Sequence, residues 1–191
     1  VNIDYLNTQA YYHLMMIFLF EKQEDQAALL AAYSKFLSIT MAQEDEEWGF
    51  KPDGSAWHHN GHYPAYALGA FSTVPKILKM LSTTRYRIRP EGHHNFKRAF
   101  LTLKDFSQLY NWGFGNSGRH PLEDGGIQSL KDEYLMLAYS GNPDGTEAID
   151  KDVASAYLRL WGDDDLFNSN IFTGINGIQK ERMPGYKTLP Y

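Results

Sequence analysis

His59 and Tyr66 are the residues of this chain whose types and spacing best suit proton transfer. They lie seven positions apart in segment 53–66, which also carries His58, His62 and Tyr63. A neutral imidazole and a phenol that face one cleft can act as a general acid–base pair. Ordering a segment so rich in glycine and aromatic residues costs entropy and buries little surface. The pattern therefore indicates a functional site, although a hydrogen-bonded loop cluster without a catalytic role fits it equally well.

A second glycine-rich segment, 111–121, ends in Arg119, His120 and Pro121. A planar guanidinium on a tight loop is suited to binding a carboxylate or a sulfate through paired hydrogen bonds. Pairing of Arg119 with a local acid such as Glu123 is the alternative that the pattern leaves open. These glycines do not form a phosphate-binding loop, because no Gly-Lys-Ser/Thr sequence follows them.

Aromatic residues make up 15% of the chain, with 13 tyrosines and 4 tryptophans. Trp48, Trp57 and Trp112 lie in or beside the two glycine-rich loops, where flat indole faces could stack on sugar rings. This placement predicts a sugar-binding cleft. Most of the other rings are expected to fill a helical core, including Trp161 near the end of a helix.

His58 and His62 have the spacing of two metal ligands on one turn of a helix. Asn60 and Gly61 would break a helix at that point, and no third ligand is evident. We therefore predict no protein-bound metal site, and leave open whether a divalent cation such as Ca²⁺ or Mg²⁺ assists the reaction.

Helical periodicity predicts an all-α chain of paired helices, over 8–22, 24–41, 64–81, 92–110, 129–139 and 147–161. Asn7 or Thr8 is expected to cap the first helix. Pro75 is expected to interrupt the third, because proline suits the first turn of a helix better than its middle. The long loops 43–62 and 111–126 could open onto one rim, and no strand of any length is predicted.

The composition narrows the class of partner. The net charge of −5 argues against a nucleic acid, but a local basic cleft could still bind an anionic substrate. The chain has no cysteine, which excludes disulfides and cysteine-ligated zinc. Its longest apolar stretch, 14–20, falls short of the roughly 18 residues of a membrane span.

Segments 53–66 and 118–121 resemble, in order and spacing, the active-site segments of bacterial chondroitin sulfate ABC lyases, in the hyaluronate and chondroitin lyase superfamily. The resemblance covers most of the chain. It implies an incomplete α/α toroid of antiparallel helical hairpins, followed by β-sheet domains. Residues 1–191 would then be a fragment of one toroid domain, with apolar helix faces left exposed where flanking helices are missing. It also implies a secreted or periplasmic bacterial protein, expected to be a monomer.

The resemblance implies eliminative cleavage of chondroitin sulfate and dermatan sulfate to 4,5-unsaturated uronate products. By position, His59, Tyr66 and Arg119 match the catalytic His, Tyr and Arg of that family. A fourth catalytic residue of the family, a Glu, would lie beyond Tyr191, so the isolated chain is expected to be inactive. The residues expected to contact the glycan are Trp57, His58, Asn60, His62, Trp112, Asn116 and His120.

These residue types fit the chemistry that the resemblance implies. Positive charge from Arg119 beside the uronate carboxylate would stabilise the enolate-like state formed when C5 loses its proton. Tyr66 could remove that proton if its pKa fell below the usual value of about 10, and could then protonate the leaving oxygen. His59 could take the proton from the opposite face, as iduronate requires.

Two other functions remain open from the sequence. Many α/α toroids are glycoside hydrolases, which work with paired carboxylates, and Asp53 and the acidic run 44–47 offer carboxylates without a convincing pair. A non-catalytic glycosaminoglycan-binding domain would use the tryptophans and Arg119 but would not need His59 or Tyr66.

Overall fold

The computed structural model describes residues 2–43, 48–113, 116, 122, 125–162, 172 and 175–178. Within these ranges the chain is mainly helical, which confirms the predicted all-α class, with one small sheet added. The seven helices are α1 (Ile3–Thr8), α2 (Ala10–Ile17), α3 (Gln23–Ala42), α4 (Pro64–Leu81), α5 (Pro90–Asp105), α6 (Lys131–Ala138) and α7 (Lys151–Trp161). The strands are β1 (Gly49–Phe50), β2 (Ala56–His58) and β3 (Gly61–His62).

The first predicted helix, 8–22, is wrong at both ends. The chain becomes helical earlier, because the side chain of Asn2 accepts a hydrogen bond from the backbone N–H of Tyr5 and caps α1. The helix then breaks at Gln9, whose backbone is not helical, and α2 ends at Ile17. The second predicted helix, 24–41, is confirmed as α3.

Helix α4 has the predicted ends but not the predicted interruption. Pro75 lies inside the helix and is buried. A proline in a helix interior removes one backbone hydrogen bond and costs about 3 kcal/mol. Phe71, Val74 and Leu78 are buried on the same helix, and burial of this apolar face offsets the local cost of the proline.

The later helices are shorter than the sequence predicts. Helix α5 begins with Pro90 in its first turn, a position where proline is favourable, and ends at Asp105. The chain then turns through Leu109, which has a φ of 56°. A 3-10 turn at Gln128–Leu130 precedes α6, and Asp150 caps α7 three residues after the predicted start.

The core is aromatic and sits around α4, which packs against α1, α2, α5, α6 and β2. Phe71 of α4 contacts Phe50 of β1 and both Phe96 and Phe100 of α5 at centroid distances of 5.7–5.9 Å. Trp161 is buried in the same core, as predicted. No helix of the described part is long and apolar enough to cross a membrane.

An apolar face remains exposed on α2, on α3 and on the turn between them. Leu19 is 80% exposed and Met16 59% exposed, and the neighbouring side chains line a groove of about 480 Å³. The other large apolar side chains exposed on this face are Phe18, Phe20, Phe36 and Ile39. An exposed apolar surface of this kind is typical of a face that contacts another surface or a ligand.

Candidate functional site

Segment 49–62, part of the predicted long loop 43–62, folds into a three-stranded antiparallel sheet. Strand β2 pairs with β1 on one side and with β3 on the other. The two residues between β2 and β3 are His59 and Asn60, and both have positive φ, 52° and 65°. Two central residues with positive φ are what a type I′ hairpin turn requires, and His and Asn tolerate this conformation better than most residues. The fold therefore places His59 at the tip of a tight hairpin.

The turn between β1 and β2 is held against α5. Asp53 accepts hydrogen bonds from the backbone and the hydroxyl of Ser55, at 2.8 and 2.6 Å. Gly54 has a φ of 81°, and a Cβ atom there would lie 2.0 Å from Oγ1 of Thr102. Only glycine fits this contact, so the turn between β1 and β2 is anchored on the helical core at a defined position.

The buried His58 and the half-buried Tyr66 form the inner side of the candidate site. Their rings stack with centroids 4.1 Å apart and planes 20° from parallel. His58 is only 2% exposed, and its Nε2 lies 3.6 Å from Oδ2 of Asp4. The hydroxyl of Tyr66 donates a hydrogen bond to Oδ1 of the same carboxylate. Tyr66 is thereby fixed by a ring on its face and by a carboxylate at its hydroxyl.

His59 stands exposed beside this stacked pair. Its ring centroid lies 5.7 Å from that of Tyr66, with the two planes nearly perpendicular at 73°. It also lies 4.1 Å from the ring of His58 and 6.3 Å from that of Tyr63. Tyr66 lies in the first turn of α4, so one helix end and one hairpin bring the two predicted catalytic residues together.

Trp57 and His62 lie on the other face of the hairpin, because they are partners across β2 and β3 while His58 pairs with Gly61. The Trp57 indole donates to the Ser55 hydroxyl at 2.8 Å, and the His62 ring contacts Phe106 at 5.2 Å. Desolvation lowers the pKa of His62, opposed by the Ala56 backbone and the charge of Asp53. Of the residues predicted to contact the glycan, Trp57 and His62 therefore lie on one face of the hairpin and His58 on the other, while Asn60 lies in its turn.

Trp112, at the start of the second predicted loop, is buried. Trp112 is 5% exposed, and a Cβ atom on Gly125 would lie 2.1 Å from its indole nitrogen. Its ring therefore packs in the protein and does not offer a face to a sugar, which corrects the prediction for this residue. Asn116 donates from its amide to the carbonyl of Trp112 at 2.9 Å. Arg119 and His120, like the acidic run 44–47, lie outside the described residues.

A metal site cannot be assembled from the described part of the chain. His58 and His62 point to opposite faces of the hairpin, so they cannot act as the ligand pair that their spacing suggests. No group of three or more potential ligand side chains converges among the residues that the structure describes.

The comparisons with known proteins identify the family. A family model described as "Lyase, catalytic" matches residues 1–166. The chain belongs to this lyase family. It is 31% identical over 165 residues to a chondroitin sulfate ABC exolyase of Bacteroides thetaiotaomicron, and 31% identical over 178 residues to one of Proteus vulgaris. A chondroitin sulfate ABC endolyase of Proteus vulgaris is 29% identical over 161 residues.

These matches cover 86%, 92% and 83% of the chain but only 16%, 17% and 15% of the respective relatives. The chain thus spans about one sixth of the length of the curated lyases that it matches. The resemblance inferred from segments 53–66 and 118–121 is confirmed at the level of the family.

Asp4 is the site residue that the sequence did not reveal. It lies 62 positions before Tyr66, and an acid in the first turn of a helix is ordinarily explained by the helix dipole. Only the packing of α1 against α4 and β2 brings its carboxylate to Tyr66 and His58.

Proposed function

We propose that this chain carries part of the active site of a polysaccharide lyase that cleaves chondroitin sulfate and dermatan sulfate by β-elimination. The observation that carries the proposal is the contact between His59 and Tyr66, whose ring centroids lie 5.7 Å apart, with the Tyr66 hydroxyl hydrogen-bonded to Asp4. Membership of the lyase family supports the reaction class, and the names of the relatives support the substrate class.

The proposed reaction removes the C5 proton of a uronate and expels the 4-linked sugar, which leaves a 4,5-unsaturated uronate. Tyr66 takes the C5 proton of glucuronate and returns a proton to the leaving glycosidic oxygen. His59, on the exposed hairpin tip, takes the proton from the opposite face when the sugar is iduronate. The role of Arg119, to neutralise the uronate carboxylate, rests on its match to the position of the family's catalytic arginine.

We further propose that residues 1–191 form part of an incomplete α/α toroid that further helices and β-sheet domains complete. The exposed apolar face on α2 and α3 supports this, as does the one-sixth share of the relatives that the chain spans. The 191-residue chain is expected to be inactive by itself and the natural full-length polypeptide to be active. Equal activity per mole of the 191-residue chain and the full-length polypeptide would refute the proposal that further domains complete the site.

The first experiment follows the ultraviolet absorbance of the unsaturated uronate. The full-length polypeptide is mixed with chondroitin sulfate and, separately, with dermatan sulfate, each with and without a chelator of divalent cations. An absorbance rise with both glycans is the expected result. New reducing ends without an absorbance rise would mean hydrolysis, and retained binding without cleavage would mean a glycan-binding domain.

Replacing Tyr66 with phenylalanine removes one oxygen and is expected to abolish cleavage of both glycans. Tyr12→Phe, which removes the hydroxyl of a 66% exposed tyrosine, serves as the matched control. Glucuronate cleavage that survives in Tyr66→Phe would show that the tyrosine has no proton-transfer role.

Replacing His59 with alanine separates catalysis from binding. The expected result is loss of dermatan sulfate cleavage with glycan affinity retained, because His59 acts on the reacting proton at the exposed tip of the hairpin. Turnover unaffected by this change would refute the assigned role of His59.

Secretion to the periplasm or the medium and a monomeric state are also proposed, in keeping with a polymeric extracellular substrate. Cell fractionation and sedimentation of the full-length polypeptide test these two points.

A further inference from the structure

One carboxylate, that of Asp4, lies beside both rings of the stacked pair that backs His59. Oδ1 of Asp4 accepts the hydrogen bond of the Tyr66 hydroxyl, and Oδ2 lies 3.6 Å from Nε2 of His58. The stacking of His58 and Tyr66 at 4.1 Å holds the two rings side by side at this carboxylate. The direction in which the Tyr66 hydroxyl points is therefore set by Asp4.

Helices α1 and α4 approach each other closely enough to allow this contact. One turn beyond Asp4 and Tyr66, a Cβ atom on Gly69 would lie 1.9 Å from the side-chain oxygen of Asn7. Asp4 and Asn7 are three residues apart on α1, as are Tyr66 and Gly69 on α4, so the two helices run side by side in the same direction here. A glycine at position 69 permits the close packing that brings the carboxylate to the phenol.

The direction of the hydrogen bond matters for the chemistry. Tyr66 is the donor, so its oxygen already carries a proton when the substrate arrives. A phenol oxygen that receives a second proton becomes strongly acidic, and the proton that it already held lies on the hydrogen bond to Asp4. We propose that Asp4 accepts the Tyr66 proton while Tyr66 accepts the C5 proton, an inference that rests on the proposed function.

The relay balances in protons and charge. In the first step the C5–H bond breaks, a new O–H bond forms on Tyr66, and the original phenol proton moves to Oδ1 of Asp4. The negative charge of the carboxylate passes to the enolate-like substrate. In the second step the bond from C4 to the glycosidic oxygen breaks, Tyr66 protonates that oxygen, and Asp4 returns its proton to Tyr66. Both side chains end as they began.

The relay makes Asp4 a positioning and proton-accepting residue that acts on the substrate through Tyr66. Asp4→Asn is the decisive variant, because an amide oxygen can still accept the hydrogen bond from Tyr66 but does not take up a proton in neutral solution. Asp25→Asn, at an exposed acid in the first turn of α3, removes the same charge away from the site.

The experiment measures kcat and KM of the full-length polypeptide on chondroitin sulfate by absorbance. In parallel, the ¹³Cζ resonance of Tyr66, assigned with Tyr66→Phe, reports whether the phenol remains hydrogen-bonded. For Asp4→Asn we expect kcat to fall about 10²–10⁴-fold, the range for loss of a proton-transfer group, with KM and the resonance little changed. Asp25→Asn should keep the wild-type values of kcat and KM.

A kcat for Asp4→Asn within about threefold of the wild-type value would overturn the relay, because a purely structural acceptor is preserved in that variant. If Asp4→Asn does not fold, the kcat values of Asp4→Glu and Asp4→Gln are compared instead. These two side chains have the same length and differ in basicity. The relay requires Glu to be at least about tenfold faster than Gln. A wild-type protein without any absorbance rise would instead refute the proposed function itself.

Discussion

Replacing Lys97 with methionine should lower the free energy of unfolding by about 3 kcal/mol, because it leaves a buried carboxylate without its cation. Lys97 lies on α5, and its Nζ is 2.8 Å from Oδ2 of Asp150. Asp150 is 1% exposed and caps α7 by accepting the backbone N–H groups of Asp152 and Val153, each at 3.1 Å. The pair therefore joins α5 to the beginning of α7.

The magnitude follows from the surroundings of the two charges. Burial alone would lower the pKa of Lys97, but hydrogen bonds and charge from Asp150 and Asp152 outweigh it and raise that pKa. Breaking a buried pair from one side costs about 3–5 kcal/mol, and the two backbone hydrogen bonds that Asp150 keeps favour the lower value. The second contact, to Asp152 at 2.6 Å, adds little because Asp152 is 74% exposed.

Urea unfolding of the protein and of its variants measures the loss, with an unchanged m-value as the sign that only stability has changed. For a chain of this size, a loss of 3 kcal/mol corresponds to a fall in Tm of roughly 6–12 °C. Asp150→Asn removes the unpaired charge but keeps a capping oxygen. The double variant Lys97→Met/Asp150→Asn should therefore be at least about 1 kcal/mol more stable than Lys97→Met alone. Asp152→Asn, the matched control, should cost under about 1 kcal/mol. A loss in Lys97→Met no larger than in Asp152→Asn would refute the reasoning.

Two further predictions concern stability. Burial, reinforced by neighbouring cations, lowers the pKa of His93 to about 3, whereas an unfolded histidine titrates near 6.5. Between these values the unfolded chain binds the extra proton, so stability is lost as the pH falls, by about 2 kcal/mol at His93 between pH 7 and pH 5. His93→Gln should flatten this part of the profile of unfolding free energy against pH, and an unchanged slope would contradict the assignment. Gly54→Ala should cost about 2–3 kcal/mol, because φ is 81° and the new Cβ would meet Thr102 at 2.0 Å. Gly61→Ala on the same sheet meets no atom within 4 Å, so thermal unfolding should show a much smaller loss there.

The sheet around His59 shows where local patterns fail. Its strands have only two or three residues, too few for an alternating pattern to be recognised. Asn60 and Gly61 suggest a helix break, yet an Asn-Gly pair is also a hairpin signal, and here the turn falls one residue earlier, on His59 and Asn60. The sheet is anchored on α5 through the turn between β1 and β2, where Gly54 meets Thr102, a residue 48 positions away along the chain (102 minus 54).

The predicted interruption of α4 at Pro75 is wrong because packing along the whole helix outweighs a local preference. The local rule was sound, since proline disfavours a helix interior, but the rule concerns one turn of backbone. Burial of the apolar side chains along α4 stabilises the whole helix against that local cost.

The sequence by itself determined the helical class, the ends of α4, the place of Trp161 in the core and the membership of the lyase family. These follow from periodicity, from proline at helix starts and from short motifs, all of which act between residues close in the chain. Only the tertiary structure decided that Asp4 meets Tyr66, that Trp112 is buried and that Trp57 faces away from His58. The physical reason is that these contacts arise when helices and strands distant in sequence pack together, and no local pattern records which surfaces meet.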